Sequence, residues 1–168
     1  MAGLGIGLAV GLGPPSDGAG GGAANPNILL WTDELDQAVW VKTNCTVFPD
    51  VDGVADEFSS LAAGASVAET TTVAAATGAV ATGTFSPSPT GYQHGEVSGT
   101  FDGVLYTLSC EAKDGGAAAT PSLTLTIDRS GGFLRCTVSD PAGDGDYNIR
   151  HLQLEVGPFS SYQHRGGT

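Results

Sequence analysis

The stretch that decides the fold is Asp146-Tyr147-Asn148-Ile149-Arg150-His151-Leu152-Gln153-Leu154-Glu155-Val156. Leu152, Leu154 and Val156 fall on one side of an extended chain, and His151, Gln153 and Glu155 fall on the other, the signature of a half-buried strand. Tyr147 and Ile149 keep the same period in the opposite phase. The pair Arg150-His151 therefore has to absorb one residue, most simply as a β-bulge. A strand this apolar, with Gly157-Pro158-Phe159-Ser160-Ser161-Tyr162 following it, needs partners already in place, and it reads as the piece that closes a sheet.

Working back from it, the same alternation recurs. Val104, Tyr106, Leu108, Cys110 and Ala112 share one face of a predicted strand ending at Asp114-Gly115-Gly116. Leu123, Leu125 and Ile127 alternate with polar residues up to Ser130-Gly131-Gly132, and Leu134, Cys136 and Val138 follow. Three strands with glycine turns between them read as a meander whose apolar face needs a second sheet. The expected fold is all-β, an antiparallel β-sandwich. Its completing strands are expected from the Ile28-Leu29-Leu30-Trp31 run and the Leu152 run.

Earlier elements are weaker. Thr32-Asp33-Glu34 looks like a helix start, Thr32 capping and the acids favourable in the first turn. Leu35 to Trp40 would make one or two turns that send Leu35, Val39 and Trp40 inward. Trp31 and Trp40 read as core anchors ahead of ligand platforms. Strands are expected at Asn44 to Phe48, Val54 to Leu61, Val67 to Ala75 and Ala79 to Phe85, the last two joined by a Thr77-Gly78 turn. Ser86 to Gly91 is a loop.

A chain of 168 residues suffices for one domain and a tail, and 26 glycines with few helix-favouring charges fit many turns. The boundary is placed with 1–24 as leader and linker and 25–168 as the folded domain. Met1 to Gly13 carries Leu4, Ile6, Leu8, Val10 and Leu12 at every second position with Gly or Ala between them. It is too short for a membrane-spanning helix and lacks the basic start of a signal peptide. Two readings stand: a flexible tail, or a docking strand that adds to another subunit's sheet or packs in a symmetric bundle of copies. Pro14-Pro15-Ser16-Asp17 ends the pattern, and Gly18 to Ala24 is a small-residue linker.

The formal charge of −12 argues against nucleic acid and against an anionic membrane surface as partners. Three cysteines cannot all pair internally; Cys110 and Cys136 sit in the inward phase of their strands and read as buried free thiols, while Cys45 is unassigned. No nucleophile elbow, phosphate-binding loop or HExxH motif is present, so no catalytic residue and no enzyme activity is expected. His94, His151 and His164 would have to meet in space to bind a metal, which the sequence does not support. Asp140, Asp144 and Asp146 are the densest acids; a calcium ion on their glycine-rich loop is the one cofactor weighed, against an acidic turn.

Several stretches together resemble a jelly-roll domain of bacteriophage virion proteins: Asn27-Ile28-Leu29-Leu30-Trp31 with Trp40, Tyr106-Thr107-Leu108-Ser109 to Ala112-Lys113, Gly132-Phe133-Leu134-Arg135-Cys136, and Leu152-Gln153-Leu154-Glu155-Val156-Gly157 with Ser161-Tyr162. That group is similar to carbohydrate-binding modules and occurs in head fibres, spikes and tail proteins. The resemblance covers about Asn27 to Tyr162, and Met1 to Gly13 is similar to leaders on such proteins. Phe133 stands where the family often carries Trp-Tyr, and the Ala/Thr-rich middle has no counterpart.

The resemblance implies a virion structural protein, a capsid decoration, head spike or fibre, or tail component, anchored by Leu4, Ile6, Leu8, Val10 and Leu12. It implies other virion proteins as partners, a homo-oligomer, and assembly in the host bacterial cytoplasm, where free thiols are expected. The alternative is a module that binds host surface polysaccharide through Tyr92, Tyr147 or Tyr162, whose rings can stack on sugars.

Overall fold

The computed structural model describes residues 26–30, 32, 34–49, 56–163 and 165. The anchoring positions Leu4, Ile6, Leu8, Val10 and Leu12, and also Trp31 and His164, lie outside the described residues.

Ten strands follow one another: β1 (Val41–Thr43), β2 (Cys45–Phe48), β3 (Asp56–Ser60), β4 (Ala65–Ala74), β5 (Ala81–Phe85), β6 (Gln93–Phe101), β7 (Val104–Asp114), β8 (Leu123–Ser130), β9 (Phe133–Asp140) and β10 (Asp146–Val156). They form two five-stranded antiparallel sheets, sheet I in the order β1-β4-β9-β8-β5 and sheet II in the order β2-β3-β10-β7-β6. The architecture is a jelly-roll-like β-sandwich, and there is no helix among the described residues. Leu123, Leu125, Ile127, Leu134 and Val138 from sheet I meet Phe58, Leu108, Tyr147, Ile149, Leu152 and Leu154 from sheet II in one core. Each comes from the inward phase of an alternating strand, which is why a period of two suffices to build it.

β10 lies in the middle of sheet II, between β3 and β7. Its register against β7 slips by one residue between Arg150 and Gln153, and His151 takes φ +59. This is the expected bulge. It puts Tyr147 and Ile149 on one side of the slip, and Leu152 and Leu154 on the other, into the same core. Cys110 and Cys136 are buried free thiols whose burial pushes both above the ordinary range, and Cys45 donates its thiol to the Ser66 carbonyl at 3.2 Å.

Five expectations are corrected. The meander does not form: β7 belongs to sheet II, whereas β8 and β9 pair in sheet I. The connection 115–122 is too long for a tight hairpin and crosses between the sheets. It is held there by Gly115 N–H donating to the Asp146 carbonyl at 2.7 Å and by Ser122 N–H donating to the Tyr147 hydroxyl at 3.1 Å. β4 and β5 are likewise not a hairpin, because β9 and β8 lie between them.

The expected helix at 35–40 is two single turns, with Gln37 N–H on the Glu34 carbonyl and Trp40 N–H on the Gln37 carbonyl. The Lys42 ammonium takes the carbonyls of Asp36, Gln37 and Trp40 at 2.9 to 3.0 Å, so the acceptors a longer helix would use are already engaged. Leu35 and Trp40 are buried as expected, but Val39 is 37% exposed. Finally, Ile28 to Leu30 is not a strand, although Ile28 N–H does bond the Leu154 carbonyl at 2.8 Å.

The turn 141–145 has no room for a side chain at Gly143. Gly143 has φ +72, and a Cβ there would stand 2.1 Å from the Ala62 carbonyl group. Gly143→Ala should therefore cost roughly 2–4 kcal/mol from left-handed strain and overlap together, read as a lower midpoint in chemical denaturation.

Candidate functional site

On the outer face of sheet II the bulge gathers a polar and aromatic cluster. Arg150 points outward in its normal phase, and the extra residue turns the neighbouring His151 to the same face. A non-glycine residue at positive φ costs of order 1 kcal/mol or more, and such strain concentrates where a side chain must be aimed. Glu111, opposite Arg150 on β7, binds both: Arg150 Nε donates to its Oε1 at 2.8 Å, and His151 Nδ1 lies 3.2 Å from the same oxygen.

The Arg150 guanidinium and the His151 ring each carry a tyrosine. Arg150 Cζ sits 3.7 Å from the centre of the Tyr92 ring, with the Lys113 ammonium 5.4 Å from that centre. The His151 and Tyr162 rings stack at 4.2 Å with 15° between their planes, and the Tyr162 hydroxyl is 2.9 Å from Thr32 Oγ1. Tyr92, just before β6, Glu111 on β7, Arg150 and His151 on β10, and Tyr162 after β10 thus form one continuous chain of contacts. Both tyrosines are half-buried and held flat, which fixes their rings at little entropic cost to a ligand.

The structure thus brings together two of the three tyrosines singled out from sequence. Tyr147 is the exception and is corrected here: it is 1% exposed, packs against Phe58 and bonds the main chain of Ser122, so it offers no ring face to a sugar. Arg150 and His151 were singled out as the bulge, and His151 also among the histidines weighed for a metal, but neither as part of a binding surface, and Glu111 was not singled out. The signal for Arg150 and His151 was the phase change between them, which implied two neighbouring side chains on one face.

Beside the cluster, the rest of the outer face is closed by residues 157–163. Gln153 and Glu155 point outward as expected from their phase, yet both are buried beneath this segment. Gln153 donates to Ser161 O at 3.0 Å and accepts Gln163 N–H at 2.7 Å, while Glu155 accepts the Ser160 hydroxyl at 2.7 Å.

The chain ends are joined next to this cover. Asn27 donates Nδ2 to the carbonyls of Leu152 and Gln163, both at 2.9 Å, and its Oδ1 accepts Leu29 N–H and Leu154 N–H, both at 3.2 Å. Arg165 donates to Asn27 O at 2.7 Å, and Thr32 bonds Arg165 through main chain and hydroxyl. Thr32 therefore clasps the C-terminal segment instead of capping a helix.

Beneath this clasp is a groove of about 570 Å³ lined by Ile28, Leu30, Val39, Glu69, Val73 and Arg165, among others. Glu69 is 3% exposed and accepts Leu30 N–H with both carboxylate oxygens at 3.1 and 3.2 Å. Burial pushes its carboxyl up to about 7, against the Leu30 hydrogen bond and the Arg165 charge, which pull it down.

Two of the three acids weighed for calcium are otherwise engaged, and the third, Asp144, is exposed. Asp140 accepts the Ser60 hydroxyl at 2.8 Å and Gly145 N–H at 3.0 Å, and Asp146 accepts the Ser59 hydroxyl at 2.6 Å. Among the described residues, no group of three or more His, Cys, Asp or Glu is placed to hold a metal ion. His94 lies apart from His151, against Glu96 at 2.8 Å and the Phe159 ring at 4.7 Å. Comparison with protein-family models, curated proteins and solved structures finds no match to this chain.

The Glu69 shift fixes a pH dependence. The folded state holds this proton more tightly than the unfolded chain, so the contribution is complete below about 4.5 and is lost as pH rises toward about 7. The loss is on the order of 3 kcal/mol. Denaturation of the native chain and of Glu69→Gln across this range should show a declining stability in the first and a flatter profile in the second.

Proposed function

We propose that this chain is a bacteriophage virion structural protein, attached to the particle through its apolar leader and presenting the β-sandwich at the particle surface as a decoration, spike or fibre, or tail component. The observation that carries the reading is the root of the leader. The Asn27 side chain makes four hydrogen bonds, two to the main chain of β10 at Leu152 and Leu154, one to Gln163 in the C-terminal segment and one to Leu29. A pull on residues 1–26 would therefore load the central strand of sheet II rather than peel off a frayed end, as an anchored domain requires. The alternating Leu4, Ile6, Leu8, Val10 and Leu12 supply the apolar face that docks, with other virion proteins and further copies of the chain as partners.

Sedimentation of the full chain against one starting at Asn25 checks this. The full chain is expected to form an assembly of larger mass than the shortened chain; equal masses, together with no retention of the leader on purified virions, would remove the leader from the mechanism.

A second reading, binding of host surface polysaccharide, is favoured by the Tyr92 and Tyr162 rings held flat on Arg150 and His151. Sugars stack on such rings while Lys113, Glu111 and Arg150 offer polar contacts at the edge. The two readings are compatible on one particle. On an array of bacterial polysaccharides, Tyr92→Ala and Tyr162→Ala should each weaken a captured glycan by roughly tenfold or more, as one lost stacking contact of ~1–3 kcal/mol would. Capture unchanged in both variants would exclude this face.

A further inference from the structure

β4 places Ala65, Val67, Glu69 and Thr71 in its inward phase, so a carboxyl stands where the alternation calls for an apolar side chain. A buried carboxylate needs several donors or a counter-ion, and the one donor bonded to Glu69 is Leu30 N–H. Arg165 acts on it from the C-terminal segment but makes no ion pair with it among the described residues. Cys136, opposite on β9, is kept neutral by its own burial. The N-terminal segment and the turns at 34–40 add Ile28, Leu30 and Val39 to the groove, all uncharged.

The Arg165 guanidinium is engaged elsewhere. Its Nη1 donates to Asn27 O at 2.7 Å, and its Nε is buried with no hydrogen-bond partner. A charge on Glu69 is therefore relieved either by drawing the guanidinium off Asn27 or by letting water reach the carboxylate. Each breaks the clasp between the chain ends.

That clasp is built as one unit. Thr32 N–H donates to Arg165 O and Arg165 N–H to Thr32 Oγ1, each at 3.1 Å, and Asn27 reaches Gln163 O at 2.9 Å. Leu30, which Glu69 holds, lies between Asn27 and Thr32. The unit meets β10 through Ile28 N–H on Leu154 O and Leu152 N–H on Thr32 O, and neither bond belongs to the ladders that β10 makes with β3 and β7. The ends can leave with both sheets fully paired, at the expense of exposing Leu29.

We propose that the segment carrying Asn27 and Thr32 and the segment carrying Gln163 and Arg165 form one latch governed by Glu69: with its proton the ends stay clasped across β10, and without it they open together while the sandwich stays folded. The inference concerns the folded domain alone and does not rest on how the leader attaches.

The direction follows from linkage. In the closed latch Glu69 holds its proton up to about 7, whereas a solvated carboxyl in the open latch gives it up near 4.5, so closure is most favoured below 4.5 and weakens as pH rises to about 7.

Native-state hydrogen exchange of the full chain from about pH 4.5 to 8 tests this, each rate being divided by the unfolded-peptide rate at the same pH. The Ile28 and Thr32 amides are expected to be at least about tenfold less protected than those of Leu125 and Ile127 in β8 at every pH. They are also expected to lose about a hundredfold of protection or more between about 4.5 and 7 and then to level. In Glu69→Gln that loss disappears while the difference from β8 remains. Equal protection at the two places would mean that the ends leave only when the whole domain unfolds, and identical profiles in the two proteins would mean that Glu69 does not hold them; either result overturns the proposal. Should Glu69→Gln fail to fold, the unaltered chain decides: a flat profile at Ile28 and Thr32 contradicts the latch, and a stepped profile below that of β8 supports it.

Discussion

One extra residue in β10 governs this molecule. β10 is the central strand of sheet II, and its two halves present Tyr147 with Ile149 and Leu152 with Leu154 to the same core. Strand side chains alternate with period two, so without the slip at Arg150-His151 one half would face solvent. His151 meets this demand at φ +59, a conformation that costs energy for any residue with a Cβ. The same slip turns Arg150 and His151 outward together, and Glu111 ties them. The requirement of the core and the construction of the surface cluster are thus one structural event.

The second organising feature is the joining of the ends across β10. Sheet II has a central strand whose outer polar residues Gln153 and Glu155 would ordinarily be solvated. Here residues 157–163 cover them and satisfy them with serine hydroxyls and main chain, as buried polar groups require. Asn27 then bonds both the strand and its cover. In the same region Leu29, Leu35 and Trp40 are buried into the core, so the N-terminal segment packs as part of the sandwich although it is not a strand. A buried carboxyl at Glu69 lies under this clasp, which makes the stability of the N-terminal root sensitive to protonation near neutral pH.

Much of the sandwich was legible because alternation in β7, β8, β9 and β10 is a local property of the chain, and so was the bulge. What failed was pairing. Gly115-Gly116 and Thr77-Gly78 looked like hairpin turns, but the partner of a strand is chosen by the other sheet and by crossovers fixed through distant groups such as Tyr147 and Asp102. The helix expected after Thr32 failed for a similar reason: the Thr32 hydroxyl and the Lys42 ammonium bond groups that local propensity cannot foresee. Of the surface cluster, Tyr92 and Tyr162 were reachable as aromatics outside the strands, whereas Tyr147 had the inward phase of its strand and should have been read as core. The burial of Gln153 and Glu155 carried no local signal, since their cover lies in an irregular segment.

The most direct test of this account is equilibrium denaturation of two variants at position 151, one with His151 deleted and one with His151→Gly. The account predicts that the glycine variant unfolds cooperatively with a denaturant slope close to that of the native chain, since glycine adopts the bulge conformation without strain. It predicts that the deletion loses cooperative unfolding, because either Tyr147 and Ile149 or Leu152 and Leu154 are forced from the core. A deletion variant with an unchanged slope and midpoint would contradict the claim that this single residue holds the two halves of the central strand in phase.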